Sequence, residues 1–350
     1  MRVKILDSLR VIAIIMVMLH HYYGSYTENI KNIFHFGALG VPLFFIISGF
    51  VIYGSLEKTK KYTTFLIKRF IRLSPGMLIC SSITFLFFHF IYSGDGYEHS
   101  KSIANYFIAN TFIDPNVFNI KSGYVKYYYI DNAYWSLWVE ICFYSLIGIL
   151  YFITPKNFIK LYTIICFIGL PIFMLFYSST GSHILQNYFQ LSVDKIKYYH
   201  LIARAFVFFY DCLWFLIGIL LYQLYNSPKN YRLITYICIL FFINTIKDPH
   251  LELVIFSLIT MLFLYLFIYH SHTLSFLTTN WLSKIGVASY SMYLIHYHLG
   301  VVFINYLKTT LGYSILYPLI TIILVITFGL LSYNFIEKRL TSIYKKLFGL

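Results

Sequence analysis

Arg10 and His21 are eleven residues apart in the first apolar stretch of the chain. Eleven helical steps of about 100° return to within about 20° of the starting direction and rise about 16 Å, so both side chains project from one stripe. His20 points roughly 80° away from that stripe. Arg10 could hold an anionic cofactor, and His21 could take a proton from an attacking hydroxyl. The structural alternative has Arg10 reaching lipid headgroups and His21 hydrogen-bonded at the membrane interface.

A second group of candidates lies in the basic segment EKTKKYTTFLIKRFIRLSP, residues 57–75. On a helix, Lys68, Arg69 and Arg72 fall within an arc of about 100°, while apolar residues cover the other side. We therefore predict a basic amphipathic helix at the inner membrane surface. It could bind anionic lipid headgroups. Alternatively, it could bind the phosphates of a cytoplasmic donor, because arginine can donate two parallel hydrogen bonds to a phosphate. Composition does not separate the two roles.

Glu140 is a third candidate, in the segment YWSLWVEICFY that begins at Tyr134. A carboxyl group about two turns inside an apolar helix must be protonated, paired or facing a wet cavity. Glu140 could orient an imidazole or line an acceptor pocket, and its structural alternative is pairing with an arginine elsewhere. A serine nucleophile is disfavoured, because Ser48 lacks the strand–helix context of a nucleophile elbow.

The elements that must position these side chains are membrane-spanning helices. The chain has 350 residues, of which 59% are hydrophobic and 11% charged, with a mean hydropathy of +0.71, whereas soluble domains carry roughly 25% charged residues. This composition excludes an ordinary soluble domain, a disordered chain and a nucleic-acid-binding module. Apolar blocks of about 20 residues match the bilayer thickness. We predict an all-α polytopic transmembrane helix bundle of about ten spans, at residues 6–24, 38–56, 76–93, 134–153, 161–178, 204–224, 232–246, 251–270, 285–307 and 313–335.

The distribution of charge predicts the orientation of the bundle. Most of the 27 Lys and Arg residues fall in alternate connecting segments, and most of the 13 acidic residues fall in the others. The positive-inside rule therefore predicts that both termini are cytoplasmic. Two long outer segments, near residues 94–132 and 179–203, are rich in Tyr, Asn and Asp and could meet a sugar, although any polytopic protein can carry such loops. The five cysteines show no metal-type spacing, so we predict no metal site.

Other segments indicate packing more than chemistry. The small residues of GVASYSMYLIH, residues 286–296, predict close helix packing, and LGVPLFFIISGF, residues 39–50, is interpreted in the same way. Tyr293 and His296 are three residues apart and share a helix face. Glu337 stands beside two basic residues at the inner end of the last span, and we interpret it as an interfacial anchor.

Taken in order, the motifs resemble the acyltransferase 3 family of integral membrane acyltransferases. The matching segments run over nearly the whole chain: LDSLRVIAIIMVMLHH, FGALGVPLFFIISGFVI, FLIKRFIRLSP, NAYWSLWVEICFYSL, IGVASYSMYLIHYHLG and YNFIEKRL. The family often has proline after the final Glu-Lys, where this chain has Arg339. That position lies past the last predicted span, so the departure has little bearing on the chemistry.

The resemblance implies the residue roles. Such an enzyme takes an acyl group, usually acetyl from acetyl-CoA on the cytoplasmic side, and passes it to a hydroxyl group of a glycan. Carried over to this chain, His21 would be the catalytic histidine and Glu140 would serve the catalytic core. The donor site would be formed by Arg10, Arg69 and Arg72, with Lys68 beside them.

The expected protein is a multi-pass enzyme of a bacterial inner membrane, a single acyltransferase domain over residues 1–350 with no appended soluble domain. Its expected partners are acyl-CoA, the lipid bilayer and a glycan of the O-antigen, capsule or exopolysaccharide type, without nucleic acid, metal or prosthetic group. The alternative is a polytopic glycan transporter or flippase without acyl transfer. Such a protein would place charges in several spans and would need no basic site of the size of CoA.

Overall fold

The computed structural model describes residues 3–24, 26 and 28–349, and over these residues the chain is helical, without strands. This confirms the all-α prediction. Eight helices of the described part are long and apolar enough to cross a membrane: Lys4–Tyr23, Ile30–Leu56, Tyr62–Ile91, Asn132–Ile153, Phe158–Tyr177, Val193–Asn226, Leu251–Tyr269 and Tyr317–Leu347. A ninth candidate is the pair Asn280–Ile295 and Tyr297–Leu311, whose two helices are bent by 73°.

The helices are numbered in chain order. They are α1 (Lys4–Tyr23), α2 (Glu28–Ile33), α3 (Gly40–Leu56), α4 (Tyr62–Phe90), α5 (Glu98–Lys101), α6 (Ile103–Thr111), α7 (Pro115–Ser122), α8 (Trp135–Ile153), α9 (Phe158–Tyr177), α10 (Ser179–Asn187), α11 (Val193–Ala205), α12 (Phe208–Asn226), α13 (Tyr231–Lys247), α14 (Leu251–Tyr269), α15 (Asn280–Ile295), α16 (Tyr297–Leu311), α17 (Tyr317–Leu331) and α18 (Lys338–Leu347). Short 3₁₀ segments at His35–Leu39, Asn132–Tyr134 and Ser271–Thr278 and a π-helical segment at Ser332–Glu337 complete the described structure.

Of the ten predicted spans, eight overlap the eight candidate helices, one overlaps the bent pair and one is a shorter helix. The predicted span 232–246 is α13, which has 17 residues and a length of about 26 Å, somewhat less than a hydrocarbon core of about 30 Å. The predicted span 285–307 is the bent pair, not one straight helix. The basic segment also differs from the prediction, because it is the start of the 29-residue α4 and not a separate interfacial helix.

The described chain divides into two compact units. The first unit comprises Met1–Ser55, Ile71–Gly76 and Trp214–Leu350. Within it, α1 packs mainly against α15, with further contacts to α16, α17 and the 3₁₀ segment His35–Leu39. α1 is therefore the helix around which the first unit is organised.

Close backbone contact between α3 and α12 also belongs to the first unit. A Cβ atom on Gly49 would lie 2.2 Å from the carbonyl oxygen of Phe215, and one on Gly218 would lie 2.0 Å from that of Ile46. Only glycine allows two helices to approach at this distance. The packing interpretation of residues 39–50 is thus confirmed.

The second unit comprises Leu56–Phe70 and Met77–Leu213. In it, α9 packs against α8, α10 and α11, and α11 also packs against α7. The two segments predicted as long outer loops are folded, because they contain α5, α6 and α7 in one case and α10 and α11 in the other. The indole N–H of Trp138 donates a hydrogen bond to the carbonyl oxygen of Ala205 at 2.7 Å and joins α8 to the end of α11.

Candidate active site

His21 lies in the last turn of α1 and is half-buried among other rings. Its ring centroid is 4.1 Å from that of Tyr297 and 5.2 Å from that of His296. The ring of His20 lies 5.2 Å from His21, and that of His35 lies 5.7 Å from His20. We call His20, His21, His35 and His296 the imidazole cluster. Its members come from α1, from the 3₁₀ segment that follows and from the break between α15 and α16.

The helix break brings His296 into this cluster. The axes of α15 and α16 differ by 73°, with His296 between the two helices. The hydroxyl of Tyr22 donates a hydrogen bond to the backbone carbonyl of His296 at 2.9 Å, and Nδ1 of His296 lies 2.6 Å from the carbonyl oxygen of Tyr293. A Cβ atom on Gly300 would lie 2.3 Å from the Tyr22 hydroxyl oxygen, so glycine permits this approach. Broken helices in membrane proteins occur where they line a site or a cavity.

Arg10 is held by a buried carboxylate. Nη1 of Arg10 lies 2.9 Å from Oδ1 of Asp7, one turn earlier in α1, and the Arg10 side chain is 15% exposed. The hydroxyl of Ser283 donates a hydrogen bond to Oδ2 of Asp7 at 3.0 Å. A Cβ atom on Gly286 would lie 2.0 Å from the carbonyl oxygen of Asp7. The small residues of α15 therefore do permit the close packing that the sequence predicts.

The structure places Arg10 and His21 on one unbroken helix, as the sequence predicts. Asp7 is a residue that the sequence reasoning missed, although an aspartate three residues before an arginine on a helix is within reach of an ion pair. Ion pairing with Asp7 is a third role for Arg10, besides anion binding and contact with lipid headgroups.

The three basic candidates of α4 lie in its first three turns. Lys68 and Arg69 are half-buried and belong to the second unit, whereas Arg72 is exposed and belongs to the first. The guanidinium carbon of Arg69 lies 5.7 Å from the ring centroid of Phe65, within the range of a cation–π contact. These residue types suit an anionic group such as a phosphate, since the planar guanidinium group of the exposed Arg72 can donate two parallel hydrogen bonds to phosphate oxygens.

Glu140 lies in the second turn of α8, in the second unit, and is half-buried. The hydroxyl of Tyr144, one turn further along α8, donates a hydrogen bond to Oε1 of Glu140. The start of α8 is fixed by Asp131, whose Oδ1 accepts a hydrogen bond from the backbone N–H of Ala133 at 2.9 Å. A tyrosine is thus one partner of Glu140, where the sequence suggested an imidazole or an arginine.

The interpretation of Glu337 as an interfacial anchor is wrong. Glu337 is only 7% exposed, and its Oε1 accepts hydrogen bonds from the hydroxyls of Ser291 at 2.6 Å and Ser332 at 2.9 Å. Arg72 interacts electrostatically with the same carboxyl group. Glu337 ends the π-helical segment of the first unit, and π-helical turns are rare and frequent at functional sites. The sequence reasoning therefore missed a buried carboxyl group that shares the first unit with Arg72.

The fold and these side chains define a class of protein, the multi-pass integral membrane protein with titratable groups inside its helices. Charged groups within a membrane are costly and mark functional sites by default. Here an ion pair, an imidazole cluster and two glutamates lie within candidate spans. Among the residues that the structure describes, no group of three or more His, Cys, Asp or Glu side chains could hold a metal ion.

Comparison with known proteins gives the family. The model of the acyltransferase 3 family, described as an acyltransferase domain, matches residues 3–334. The chain belongs to this family, as its motifs predicted. An O-acetyl transferase of Shigella phage Sf6 is 26% identical over 152 residues, which are 41% of this chain and 44% of the phage protein. The aligned region thus spans less than half the length of that relative. No solved structure matches the chain significantly.

Proposed function

We propose that this protein is a membrane O-acetyltransferase that moves an acetyl group from acetyl-CoA to a hydroxyl group of a cell-surface or lipid-linked glycan. The family and the name of the phage relative support acetyl transfer to oxygen. The observation that carries the proposal is the position of His21, a half-buried imidazole that contacts His296 and Tyr297 at a helix break. A histidine in such a position suits a general base, because a neutral imidazole has a ring nitrogen that can accept the proton of a hydroxyl group.

In the proposed reaction, His21 accepts the proton of the acceptor hydroxyl while the hydroxyl oxygen attacks the carbonyl carbon of the thioester. The ester C–O bond forms, the C–S bond breaks, and the departing thiolate recovers the proton from His21. The titratable side chains that act on His21 are the imidazoles of His20, His296 and His298, and imidazoles can pass a proton between them. The overall balance is the same for direct transfer and for an acetyl-enzyme intermediate.

We assign the donor side to Arg10, Lys68, Arg69 and Arg72. The anionic phosphates of the donor would bind the guanidinium groups of α4, since bidentate arginine–phosphate contacts are strong and directional. Arg10, fixed by Asp7, would bind a further anionic part of the donor. The rise of about 16 Å from Arg10 to His21 is then the depth that the pantetheine arm must cover. Glu140 is the second catalytic candidate.

We further propose that both compact units serve this one activity, so that residues 1–350 work as a single acyltransferase domain. Both termini would lie in the cytoplasm, because the basic residues concentrate in the segments on that side. Counting α13 as a span and the bent pair once gives an even number of crossings, which returns the chain to the side where it began. The bacterial inner membrane and an acceptor of the O-antigen, capsule or exopolysaccharide type complete the proposal.

The test is acetyl transfer in inside-out membrane vesicles that are supplied with acetyl-CoA labelled in the acetyl group. We expect label in the glycan fraction with the native protein and a loss of about 10²–10⁴ in rate with His21→Ala, because a general base contributes a factor of that size. His272→Ala is the matched control, since His272 is exposed and lies outside the imidazole cluster. Both variants should reach the membrane in normal amounts.

Two outcomes would contradict the proposal. Native transfer rates with His21→Ala would remove the assignment of the base. Movement of glycan across the membrane without any transfer of label by the native protein would instead indicate the transporter or flippase.

A further inference from the structure

The second unit contains an open cavity of about 460 Å³ between α10 and α11. One face of α11 contributes Lys197, His200 and Arg204, and α10 contributes Ser182 and Gln186. The spacing of three and four residues puts the basic side chains of α11 on a single helix face. Apolar side chains complete the lining, namely Val125, Val193, Ile196 and Leu201. A cavity with several polar groups and apolar walls is typical of a ligand site.

The helix that carries the basic face is fixed by its packing. The ring of His200 stacks on that of Tyr177, with centroids 4.9 Å apart and planes 9° apart. The hydrogen bond from Trp138 to the carbonyl of Ala205 holds α11 directly after Arg204. α11 also packs along α7 and α9. The direction in which the basic side chains project is therefore set before any ligand arrives, which lowers the entropic cost of binding.

Arg204 is the strongest donor in the cavity. Within residues 3–24, 26 and 28–349, its guanidinium group makes neither a hydrogen bond nor an ion pair. Asp114 interacts electrostatically with Arg204, but its oxygens already accept hydrogen bonds from the Tyr129 hydroxyl and from the backbone N–H of Asn116. Burial raises the pKa of Asp114, while the hydrogen bonds from Tyr129 and Asn116 and the charge of Arg204 act in the opposite direction.

Lys197 is also available to a ligand. It lies 3.9 Å from Asp194, and both side chains are largely exposed, at 75% and 96%. An ion pair of this kind contributes little in water. Lys197 and Arg204 can therefore both bind an anion in the cavity. Lys197 would contribute a compact ammonium charge, and Arg204 would donate two parallel hydrogen bonds.

We propose that this cavity, which we call the Lys197–His200–Arg204 pocket, binds an anionic sugar unit of the acceptor glycan, one that carries a carboxylate or a phosphate. The inference rests on the proposed function, in which the acceptor is a glycan. Arg204 and Lys197 bind the anionic group. Ser182 and Gln186 exchange hydrogen bonds with the sugar hydroxyls, and Ile196 contacts the apolar face of the sugar ring. The proposed topology puts this pocket on the outer side of the membrane, where a surface glycan lies.

The test measures sugar binding to the purified full-length protein that carries His21→Ala, so that binding is separated from transfer. The anionic probes are trigalacturonate and glucose 1-phosphate, and their neutral counterparts are maltotriose and glucose. We expect at least one anionic probe to bind more tightly than its counterpart and to weaken as NaCl rises, because salt screens exposed charges. Arg204→Gln should weaken that binding roughly tenfold or more. Lys195→Gln is the matched control, since Lys195 is exposed on α11 outside the pocket.

Three results would overturn the pocket. The first is equal binding of the anionic and neutral probes, and the second is equal binding by Arg204→Gln and Lys195→Gln. The third comes from a measurement in nanodiscs of the preference of the protein for phosphatidylglycerol over phosphatidylcholine. If Arg204→Gln changes this lipid preference but leaves sugar binding unchanged, the pocket is a site for lipid headgroups. The two proposals can fail separately. If the protein binds the anionic sugar but the native protein transfers no label, the proposed function is contradicted and the pocket is still supported.

Discussion

The two ends of α1 are stabilised in different ways. At one end, Arg10 forms an ion pair with the buried carboxylate of Asp7, which also accepts a hydrogen bond from Ser283. At the other end, His21 is contacted by the rings of histidines and a tyrosine. The ion pair and the hydrogen bond from Ser283 together restrict the positions of both charged groups at this end. An imidazole among rings can gain and lose a proton during a reaction.

The helices that pack against the two ends of α1 also differ. Near Arg10, the backbones of α1 and α15 touch at Gly286. Near His21, the partner element is a helix break, which is attached to α1 by the hydrogen bond from Tyr22 to His296. One end of α1 is therefore held by an ion pair and close backbone packing, and the other end by ring contacts at a helix break. Each end can be changed separately.

Gly286→Ala should have the largest effect, and on folding. The new Cβ atom would lie 2.0 Å from the carbonyl oxygen of Asp7 and 2.6 Å from its carbon, both backbone atoms that cannot turn away. Alanine gains up to about 1 kcal/mol in helix propensity over glycine, but overpacking costs roughly 1–3 kcal/mol and sometimes more. We therefore expect a lower yield and a clearly lower Tm in detergent.

The matched control is Gly24→Ala, at the other end of α1. Its Cβ atom would lie 3.2 Å from the carbonyl oxygen of His20, and its φ of −60° suits any residue. The Tm of this variant should stay close to that of the native protein. Equal Tm values for the two variants would contradict the close approach of α15 at the Arg10 end.

Asp7→Asn should have the next largest effect, and on the donor. The substitution keeps the shape of the side chain but removes the negative charge that holds Arg10. We expect the KM for acetyl-CoA to rise about tenfold, as the loss of a charged hydrogen bond allows, while kcat changes little. Donor saturation curves in vesicles measure both constants.

Asp95→Asn is the control for this prediction, because Asp95 is exposed and outside the candidate spans. It should leave both constants unchanged. A fall in kcat at constant KM for Asp7→Asn would place Asp7 with the reaction and would contradict the distinction between the two ends.

Much of α1 could be predicted because the relevant physics is local. The bilayer thickness sets the length of apolar helices at about 20 residues. The helical rotation of about 100° per residue puts Arg10 and His21 on one stripe. The same local rules predicted the close packing of residues 39–50. They are less decisive for α13, whose 17 residues lie near the minimum length of a span.

The helix break and the buried Glu337 could not be predicted, because their causes are distant in the sequence. Tyr22 donates to a carbonyl group 274 residues away, and no proline marks the break in the segment MYLIHYHLG. Glu337 is buried because Ser291, 46 residues earlier, donates a hydrogen bond to it. Because Glu337 stands beside two basic residues, the sequence alone indicated an interfacial anchor. Contacts of this range depend on how the helices pack, which periodicity does not describe.

Tyr22→Phe should have the smallest effect and tests the His21 end. It removes the hydrogen bond from the Tyr22 hydroxyl to the carbonyl of His296 and keeps the ring. One hydrogen bond contributes about 0.5–1.5 kcal/mol, so we expect kcat to fall about two- to tenfold. The KM for acetyl-CoA should not change, because the donor residues are untouched.

Tyr23→Phe provides the control from the next position of the same helix. Its hydroxyl donates to the carbonyl of Ile315 at 3.0 Å, a bond of the same kind that does not involve the helix break. The two variants should lose similar amounts of stability, measured as Tm, but only Tyr22→Phe should lower kcat. If both lower kcat equally, the effect follows from a general loss of rigidity in α1, and the break at His296 has no separate part in positioning His21, the proposed base.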